Sequence, residues 1–451
     1  MLDDDEVTAL ASGRWVCDCL ALSLQRADSN SPDCAGPGRI SQLPDGTLRF
    51  TLYAIESSHL RRSTIAPGSI GDFIPDEAYY RLTARDIGGR EWISDRVLPR
   101  VAAERAHPGA VWHGELHSLT STREFTAPDL TRVKSELVCT AFHGIDGPAN
   151  ARTVTRIEGP GRRTEEATLD TATFSARGLS CVLEMKPSVT RLQARTRDVL
   201  PSHAEFRLLD GLRFVLATPL SWAIVQKSHR QGDSAWINGG SATKIVSSHV
   251  GPPVPFRVVS AEVKVWELLD RYLARIWELP NPEPDPISAH WLDVLRASMG
   301  GLETLALVSS VAVEAFVREL FPGFEPHADP ELDACIKDLL AALEIGKWRP
   351  GLRKRFAKSF QNMKRPRVID VLHGLAEQRA VAKKLVDSWD RLRHPVAHGR
   401  RAEDQPRRML GLVDAVITLL YQLVFHAVGY RGLCADYTRP GWYTVYQGAG
   451  R

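Results

Sequence analysis

The stretch Trp389–Gly399 reads W-D-R-L-R-H-P-V-A-H-G and places a cation beside two histidines. Cleaving RNA without a metal needs a base for the 2′-hydroxyl, an acid for the leaving oxygen and a fixed cation at the phosphate. Histidine is suited to both proton transfers because its pKa lies near neutrality. Arginine is suited to the phosphate because its planar guanidinium presents paired donors and stays charged. We therefore interpret Arg393, His394 and His398 as candidate catalytic residues.

The spacing of this stretch constrains its geometry. On an unbroken helix, the offset between Arg393 and His398 turns about 140°, so their side chains would diverge. Pro395 disfavours helical backbone at the preceding residue and supplies no N–H donor. We therefore expect the helix to bend or restart at Pro395, which would let the two side chains converge. One arginine and one histidine form a sparse site, and pairing two copies across a dimer would double the groups.

Two structural interpretations of the same stretch stay open. In the first, His398 caps a helix and Arg393 pairs with Asp390 or another acid. In the second, His394 and His398 bind zinc, since two histidines four positions apart can share a helix face. Pro395 disturbs that face and no glutamate follows His394, so we expect neither a metal nor another cofactor.

The composition indicates a globular protein of two or three domains, because 451 residues with 43% hydrophobic and 25% charged can bury large cores. The net charge is only +3, so any nucleic-acid affinity must come from local patches. The seven cysteines include no C-x-x-C pair, and the chain starts with the acidic string M-L-D-D-D-E. The most apolar run, Met409–Val428, contains Asp414 and His426, which favours a buried helix. These features predict a cytoplasmic protein that contacts no membrane.

The fold class predicted from the chain is α+β and multidomain, with a β-rich N-terminal region followed by an all-α bundle. Residues 1–262 form the β-rich region, either one body or two lobes that divide near 125–131. Residues 263–286 are a helix and a proline-rich linker, and residues 287–451 are a helical domain with an aromatic tail. We assign no chemistry to the first region and interpret it as a sensor or regulator. Its predicted strands include Leu48–Tyr53, Val111–Leu119, Glu136–Phe142, Ser180–Met185 and Glu205–Leu216.

A basic segment precedes the histidine-containing stretch. Between Glu344 and Asp370 the chain has nine lysines and arginines and no acidic residue, with three aromatic residues interleaved. Such a run predicts a phosphate-binding surface whose rings stack on unpaired bases. The alternative is a solvated face whose aromatic residues pack on the core. The cations are Lys347, Arg349, Arg353, Lys354, Arg355, Lys358, Lys364, Arg365 and Arg367, and the aromatic residues are Trp348, Phe356 and Phe360.

The extended string W-x-x-L-R-H-x-x-A-H-G resembles the signature of HEPN-domain ribonucleases, in particular their bacterial ApeA-like branch. The matching positions are Arg393, His394 and His398, and the resemblance covers about residues 287–440. His394, where asparagine is commoner, and Pro395 depart from the family pattern. The length of the chain, its β-rich first half and its helical second half are also similar to that branch.

The resemblance implies a bundle of four or five helices that forms a homodimer or a higher homo-oligomer, with a composite site at the interface. It implies metal-independent cleavage of tRNA or other structured RNA, leaving a 2′,3′-cyclic phosphate. It also implies a toxin-like role in antiphage abortive infection, with a phage-derived trigger acting on the N-terminal region.

Glu314 is a fourth candidate catalytic residue. It lies in the apolar string V-A-V-E-A-F-V of a predicted helix, where a buried carboxylate needs a partner. Arg393 is one candidate partner, and the resemblance implies an acid in a similar place. The alternative is a surface ion pair with Arg318, four residues further on.

Three hypotheses for function follow. The first is a HEPN endoribonuclease that the β-rich region keeps silent until a signal arrives. The second is an inactive HEPN-like module that dimerises and binds RNA or protein. The third is a β-rich ligand-binding protein whose helical half only oligomerises it.

Overall fold

The computed structural model describes residues 1–26, 29, 31–57, 79–101, 110–129, 132, 134–149, 151–159, 162–240, 250–256, 258, 261–280, 283–323, 330–363, 367–397, 406–439, 441 and 443–448. For 56, 57, 101, 151–159, 162–169, 333, 361–363 and 394–397 it describes the backbone alone. The protein is α+β, with strands dominating its first half and helices its second. It divides into a β unit, Met1–Leu209 with Leu220–Ile245, and a helical unit, Asp210–Pro219 with Val246–Arg451.

The β unit contains helix α1 (Asp4–Ala11) and one antiparallel sheet, which has 16 strands among the described residues. In order across the sheet the strands are β11-β12-β13-β14-β10-β15-β16-β9-β6-β5-β1-β2-β3-β8-β7, and β4 pairs with β2. Their bounds are β1 Val16–Arg26, β2 Cys34–Gln42, β3 Leu48–Tyr53, β4 Glu56–Ser57, β5 Tyr80–Asp86, β6 Glu91–Val97, β7 Arg100–Val101, β8 Val111–Leu116, β9 Ser118–Glu124, β10 Ser135–Ala141, β11 Ala151–Gly159, β12 Arg162–Ala176, β13 Leu179–Lys186, β14 Val189–Thr196, β15 Ile224–His229 and β16 Gly232–Asn238.

Buried and exposed residues alternate along the strands, and the buried ones show which face of the sheet packs on the core of the β unit. In β3, Leu48, Phe50 and Leu52 are fully buried while Tyr53 is exposed, as expected for a strand with one covered face. The sheet does not end near 125–131. Strand β16 pairs with β9 from Gly232 to Asn238, so strands before and after that segment belong to one sheet.

The segment Glu205–Leu216 corrects one sequence prediction. It was predicted as a strand, and it forms helix α2, Ala204–Leu216. Gly211 lies inside this helix, where it makes a close contact with helix α3, Ala261–Ile276. A Cβ added at Gly211 would lie 2.7 Å from the Leu269 side chain, so a larger residue would force that side chain to move.

The helical unit contains, in order, α3 Ala261–Ile276, α4 Pro286–Ala297, α5 Leu302–Leu320, α6 Pro330–Ile345, α7 Pro350–Met363, α8 Val368–Glu377, α9 Lys383–Ala397, α10 Pro406–Ala427 and the hairpin β17 Gly432–Ala435 and β18 Tyr443–Tyr446. Helices α5, α8, α9 and α10 pack around a shared core, while α6 and α7 pack on each other. The end of the chain also joins this unit. Tyr446 donates a hydrogen bond to the Ala380 carbonyl at 2.8 Å and packs on Phe425.

Helix α10 forms the centre of this core. Its residues from Val413 to Phe425 are mostly buried, and Gly429, with φ +66°, lies in the turn that follows it. Among the residues that the structure describes, α10 is also the one helix long and apolar enough to cross a membrane. A core helix passes the same test, and 67% of its apolar window is buried inside the protein.

Candidate functional site

Helices α5, α8 and α9 surround a cleft of about 730 Å³ in the helical unit, here called the α5–α9 cleft. Glu314 and Arg318 line it from α5, Arg367 from the start of α8, and Asp390 and Arg393 from α9. The chemistry of this cleft would have to come from these charged side chains, since they line it from three elements.

The apolar face of α9 determines where Arg393 points. Leu385, Trp389 and Leu392 recur at three- and four-residue steps and are buried against the bundle. The Trp389 indole N–H donates to the Ser310 carbonyl on α5 at 3.1 Å, which fixes the ring. Arg393 follows Trp389 by one turn and therefore emerges at the edge of the core, beside the α5–α9 cleft.

Two contacts and a partial exposure define the environment of Arg393. Its Nε lies 3.2 Å from Oε1 of Glu314, and its guanidinium carbon lies 5.3 Å from the centre of the Trp389 ring. The side chain is 42% exposed, so a ligand in the cleft can reach it. An arginine held by a carboxylate on one side and an aromatic face on the other is a pre-positioned cation.

Glu314 contacts two arginines and not one. Besides Arg393, its Oε2 lies 3.5 Å from Nη2 of Arg318. Both partners considered from the sequence are therefore present. The Arg393 side chain is 42% exposed whereas that of Arg318 is 70% exposed, so the pair of Glu314 with Arg393 is the better shielded of the two.

The side chains of the two histidines of the motif lie outside the described residues. The backbone of His394 belongs to α9, and its side chain lies outside the described residues, as does the whole of His398. The expected restart of the helix at Pro395 does not occur, because helical backbone continues through Pro395 to Ala397. Proline is tolerated here because it lies in the last turn, where its missing N–H leaves only the carbonyl of Arg391 without a helical partner.

Most of the predicted phosphate-binding cations lie on or just before α7. Arg353, Lys354, Arg355 and Lys358 are exposed along that helix, and no acidic side chain interrupts them. The further cations Lys347 and Arg349 are exposed in the turn that precedes α7, while Lys364 and Arg365 lie outside the described residues.

Arg367 has a structural role in addition to lining the α5–α9 cleft. Its guanidinium donates to both oxygens of Asp370, at 3.0 and 2.8 Å, and its backbone N–H donates to the same carboxylate at 3.0 Å. These hydrogen bonds from Arg367 lower the pKa of Asp370. They close the first turn of α8, so Arg367 is a weaker candidate for RNA contact than the cations of α7.

The aromatic residues of the basic segment form a ladder on the surface. Trp348 meets Phe356 edge-on with ring centres 5.8 Å apart, and Phe356 stacks on Phe360 at 6.4 Å. Trp348 is 50% exposed and Phe356 40% exposed, so these two rings do not pack on the core. The alternative in which the aromatic residues are core residues is therefore wrong for Trp348 and Phe356.

A further histidine, His426, lies near the α5–α9 cleft, and from the sequence it is only a polar residue in an apolar helix. His426 of α10 stacks on Phe321, with ring centres 5.7 Å apart, and Phe321 lines the α5–α9 cleft. Burial lowers the pKa of His426, so its imidazole is neutral at physiological pH. The sequence offers one signal for this position, a histidine in an otherwise apolar helix. Its contact with Phe321 joins residues far apart in the chain, so the sequence alone does not predict it.

Among the residues whose side chains the structure describes, no group of three or more His, Cys, Asp or Glu could hold a metal ion. The zinc alternative for His394 and His398 lies outside the described residues, because neither side chain is described.

Comparison with protein-family models, with curated proteins and with solved structures finds no match to this chain. Its relation to HEPN ribonucleases therefore stays a prediction from the motif. Function has to be inferred from the α5–α9 cleft and from the surface of α7.

Proposed function

We propose that the helical unit is a HEPN-type endoribonuclease that cleaves tRNA or other structured RNA without a metal ion. The observation that carries the proposal is the position of Arg393. This motif arginine is held by Glu314 and Trp389 at the wall of an open cleft, and it remains accessible to a phosphate.

In this mechanism Arg393 binds the scissile phosphate and stabilises the charge that grows on it in the transition state. His398 of one chain takes the proton from the 2′-hydroxyl, and His398 of a second chain gives a proton to the leaving 5′-oxygen, while His394 assists. Glu314 positions Arg393 and does not touch the RNA. The 2′-oxygen attacks its neighbouring phosphorus, the bond to the 5′-oxygen breaks, and a 2′,3′-cyclic phosphate remains.

A second copy of the chain completes the site in this proposal. Each chain offers His398 as its one dedicated proton-transfer group, so a single chain leaves one of the two proton transfers without such a group. A homodimer through the helical unit would supply a second set of motif residues to the same phosphate. The symmetric arrangement is part of what the resemblance to HEPN proteins implies.

The surface of α7 supports RNA as the substrate. Its cations would neutralise backbone phosphates, and the Trp348–Phe356–Phe360 ladder would stack on unpaired bases. Exposed bases occur in the loops of tRNA and other structured RNA. The wider role, an antiphage abortive-infection effector in the cytoplasm with a phage-derived trigger acting on the β unit, follows only from the family resemblance.

The test is cleavage of total RNA or purified tRNA in EDTA by the parent protein and by His398→Ala. The proposal expects cleavage by the parent, with cyclic phosphate ends, and none by the variant. Persistent cleavage by His398→Ala at the parent rate contradicts it.

A second candidate function is an inactive HEPN-like module that dimerises and binds RNA or a protein partner. The observation that favours it is that Glu314 already contacts Arg393, which an arginine with a purely structural role would also show. This candidate predicts that RNA is retained without being cut. It also predicts that mutating Arg393 leaves the survival of phage-infected host cells unchanged.

A further inference from the structure

A second cleft of the helical unit lies between the start of α9 and the β17–β18 hairpin, and it is called here the hairpin cleft. Its volume is about 630 Å³, within the range of small-ligand sites. Five basic residues line it: Arg379, Lys383, Lys384, Arg431 and Arg439. None of them belongs to the α5–α9 cleft or to the basic segment around α7.

A buried carboxylate fixes two of these cations. Asp436 is 4% exposed, and it contacts Nζ of Lys384 at 3.2 Å and Nε of Arg439 at 3.1 Å. Thr438 donates to the same carboxylate from its hydroxyl and its backbone N–H. Because one carboxylate holds two cations, this wall of the cleft keeps a positive charge.

The other cations add to that charge. Lys383 pairs with Asp387 at 3.2 Å on the exposed side of α9. Arg379 and Arg431 are exposed, and within the described part of the chain neither forms an ion pair or a hydrogen bond through its side chain. Five cations thus face two carboxylates around one opening.

The backbone at Arg379 is unusual for an arginine. It lies in the turn between α8 and α9 with φ +59°, a left-handed conformation that favours glycine. Its N–H donates to the Ala376 carbonyl at 3.0 Å, and the N–H of Ala380 donates to the Leu375 carbonyl at 2.9 Å. This turn ends α8 and leaves the guanidinium of Arg379 beside the cleft. A strained backbone is more often found at functional sites than elsewhere.

We propose that the hairpin cleft binds a ligand that carries two or more adjacent phosphate groups. Guanidinium groups bind phosphate oxygens in pairs, and several of them around one opening select for more than a single negative charge. Val381 and Val445 also line the cleft and offer apolar contact to a nucleoside. The phosphates can come from a free nucleotide or from an RNA strand.

The RNA source rests on the proposed ribonuclease function and extends it. Lys383 begins the helix that later carries Arg393, and the two are separated by about 15 Å of helix rise. An RNA strand bound at Arg393 would then make a second, remote backbone contact at the other end of α9. The free-nucleotide source is independent of RNA cleavage.

The experiment uses the full chain and the double variant Arg379→Ala/Arg431→Ala. These two arginines are chosen because removing them breaks no ion pair. The control is Arg296→Ala, an exposed arginine of α4 outside the cleft. Calorimetric titrations with pyrophosphate and with ATP probe the free-nucleotide source. A nuclease-dead His398→Ala background and a 12-nucleotide single-stranded RNA, followed by fluorescence anisotropy, probe the RNA source.

A free nucleotide as ligand predicts that ATP and pyrophosphate bind the parent and the control, with affinity at least 10-fold weaker in the double variant. An RNA strand as ligand predicts that only the oligonucleotide binds. In that case the affinity of the double variant falls less steeply with salt. The magnitude of the slope of log affinity against log salt is smaller than in the parent by about 1.4, at roughly 0.7 per phosphate contact. The proposal is overturned if no probe binds the parent, or if the double variant binds every probe as the parent does. Cleavage of RNA is not read in either arm, so failure here is distinct from failure of the ribonuclease proposal.

Discussion

The guanidinium of Arg393 on α9 and the carboxylate of Glu314 on α5 meet at 3.2 Å, across the wall of the α5–α9 cleft. The two residues are far apart in sequence, and each lies on a helix whose opposite face is buried. The same guanidinium also lies over the ring of Trp389. This arrangement holds the motif arginine in one place before any substrate arrives, and preorganised charge is what transition-state stabilisation requires.

The first prediction concerns Glu314 as a positioning residue. Glu314→Gln keeps the size of the side chain but removes the charge that holds Arg393, so we expect RNA cleavage to slow by roughly 10-fold or more. The binding of RNA should change much less than the cleavage rate, since the cations of α7 are untouched. Single-turnover cleavage in EDTA measures both.

Glu319→Gln is the matched control for that prediction. It makes the same chemical change on an exposed part of α5, away from the cleft. Equal cleavage rates for Glu314→Gln and Glu319→Gln would remove Glu314 from the site.

The second prediction concerns the stability that Trp389 provides. Trp389→Phe loses the hydrogen bond to the Ser310 carbonyl and leaves a space beside the ring. We expect the free energy of unfolding to fall by about 1–3 kcal/mol, measured by urea denaturation. Trp348→Phe, at a half-exposed ring, should cost less than about 0.5 kcal/mol. A similar cost for both substitutions would contradict the packing described for α9.

The third prediction concerns Asp414 on α10. Burial raises the pKa of Asp414 to about 6 from an ordinary value of 3.8. The folded protein therefore binds this proton more tightly than the unfolded chain does, and stability falls as pH rises from about 4 to 6. Asp414→Asn removes the charge, so it should stabilise the protein at pH 7 by roughly 1 kcal/mol and have little effect at pH 4.

Thermal unfolding of the parent and of Asp414→Asn at pH 4 and pH 7 checks this difference. Asp387→Asn serves as the control, because Asp387 is a partly exposed carboxylate on α9 that pairs with Lys383. An Asp414→Asn variant that is destabilised more at pH 7 than at pH 4 would have the opposite sign to the prediction.

The fourth prediction concerns the basic face of α7. Replacing Arg353, Lys354, Arg355 and Lys358 by alanine removes up to four phosphate contacts. The magnitude of the slope of log affinity for single-stranded RNA against log salt should then be smaller by as much as about 2.8, at roughly 0.7 per contact. Lys337→Ala, at an exposed lysine of the neighbouring helix α6, should leave the slope unchanged. An unaltered slope in the fourfold variant would place the RNA elsewhere on the protein.

The sequence predicted the helical unit well where local signals agree. The apolar run Met409–Val428 predicts a buried helix, and α10, Pro406–Ala427, is that helix, with most residues from Val413 to Phe425 buried. The partnership of Glu314 with Arg393 was also predictable, since a carboxylate in an apolar helix requires a counter-charge.

Other features depend on distant residues and could not be predicted in this way. Glu205–Leu216 is rich in strand-forming residues, but it forms helix α2, in which Gly211 lies close to Leu269. The hairpin cleft brings Arg379 and Lys384 together with Arg431, which lies beyond α10, and no spacing in the sequence marks the three as a group. Pro395 suggested a bend or a restart of the helix, yet the backbone stays helical through it to Ala397.

In the proposed function, Arg393 belongs to a metal-independent ribonuclease site. The most direct measurement is the rate of tRNA cleavage in EDTA by the parent, Arg393→Ala and Arg391→Ala, with 2′,3′-cyclic phosphate ends counted in the products. Arg391 is an exposed arginine on the same helix, so it controls for the loss of one positive charge. We predict that Arg391→Ala cleaves like the parent, and that Arg393→Ala is at least about 100-fold slower. Cleavage by Arg393→Ala at the parent rate would contradict the account.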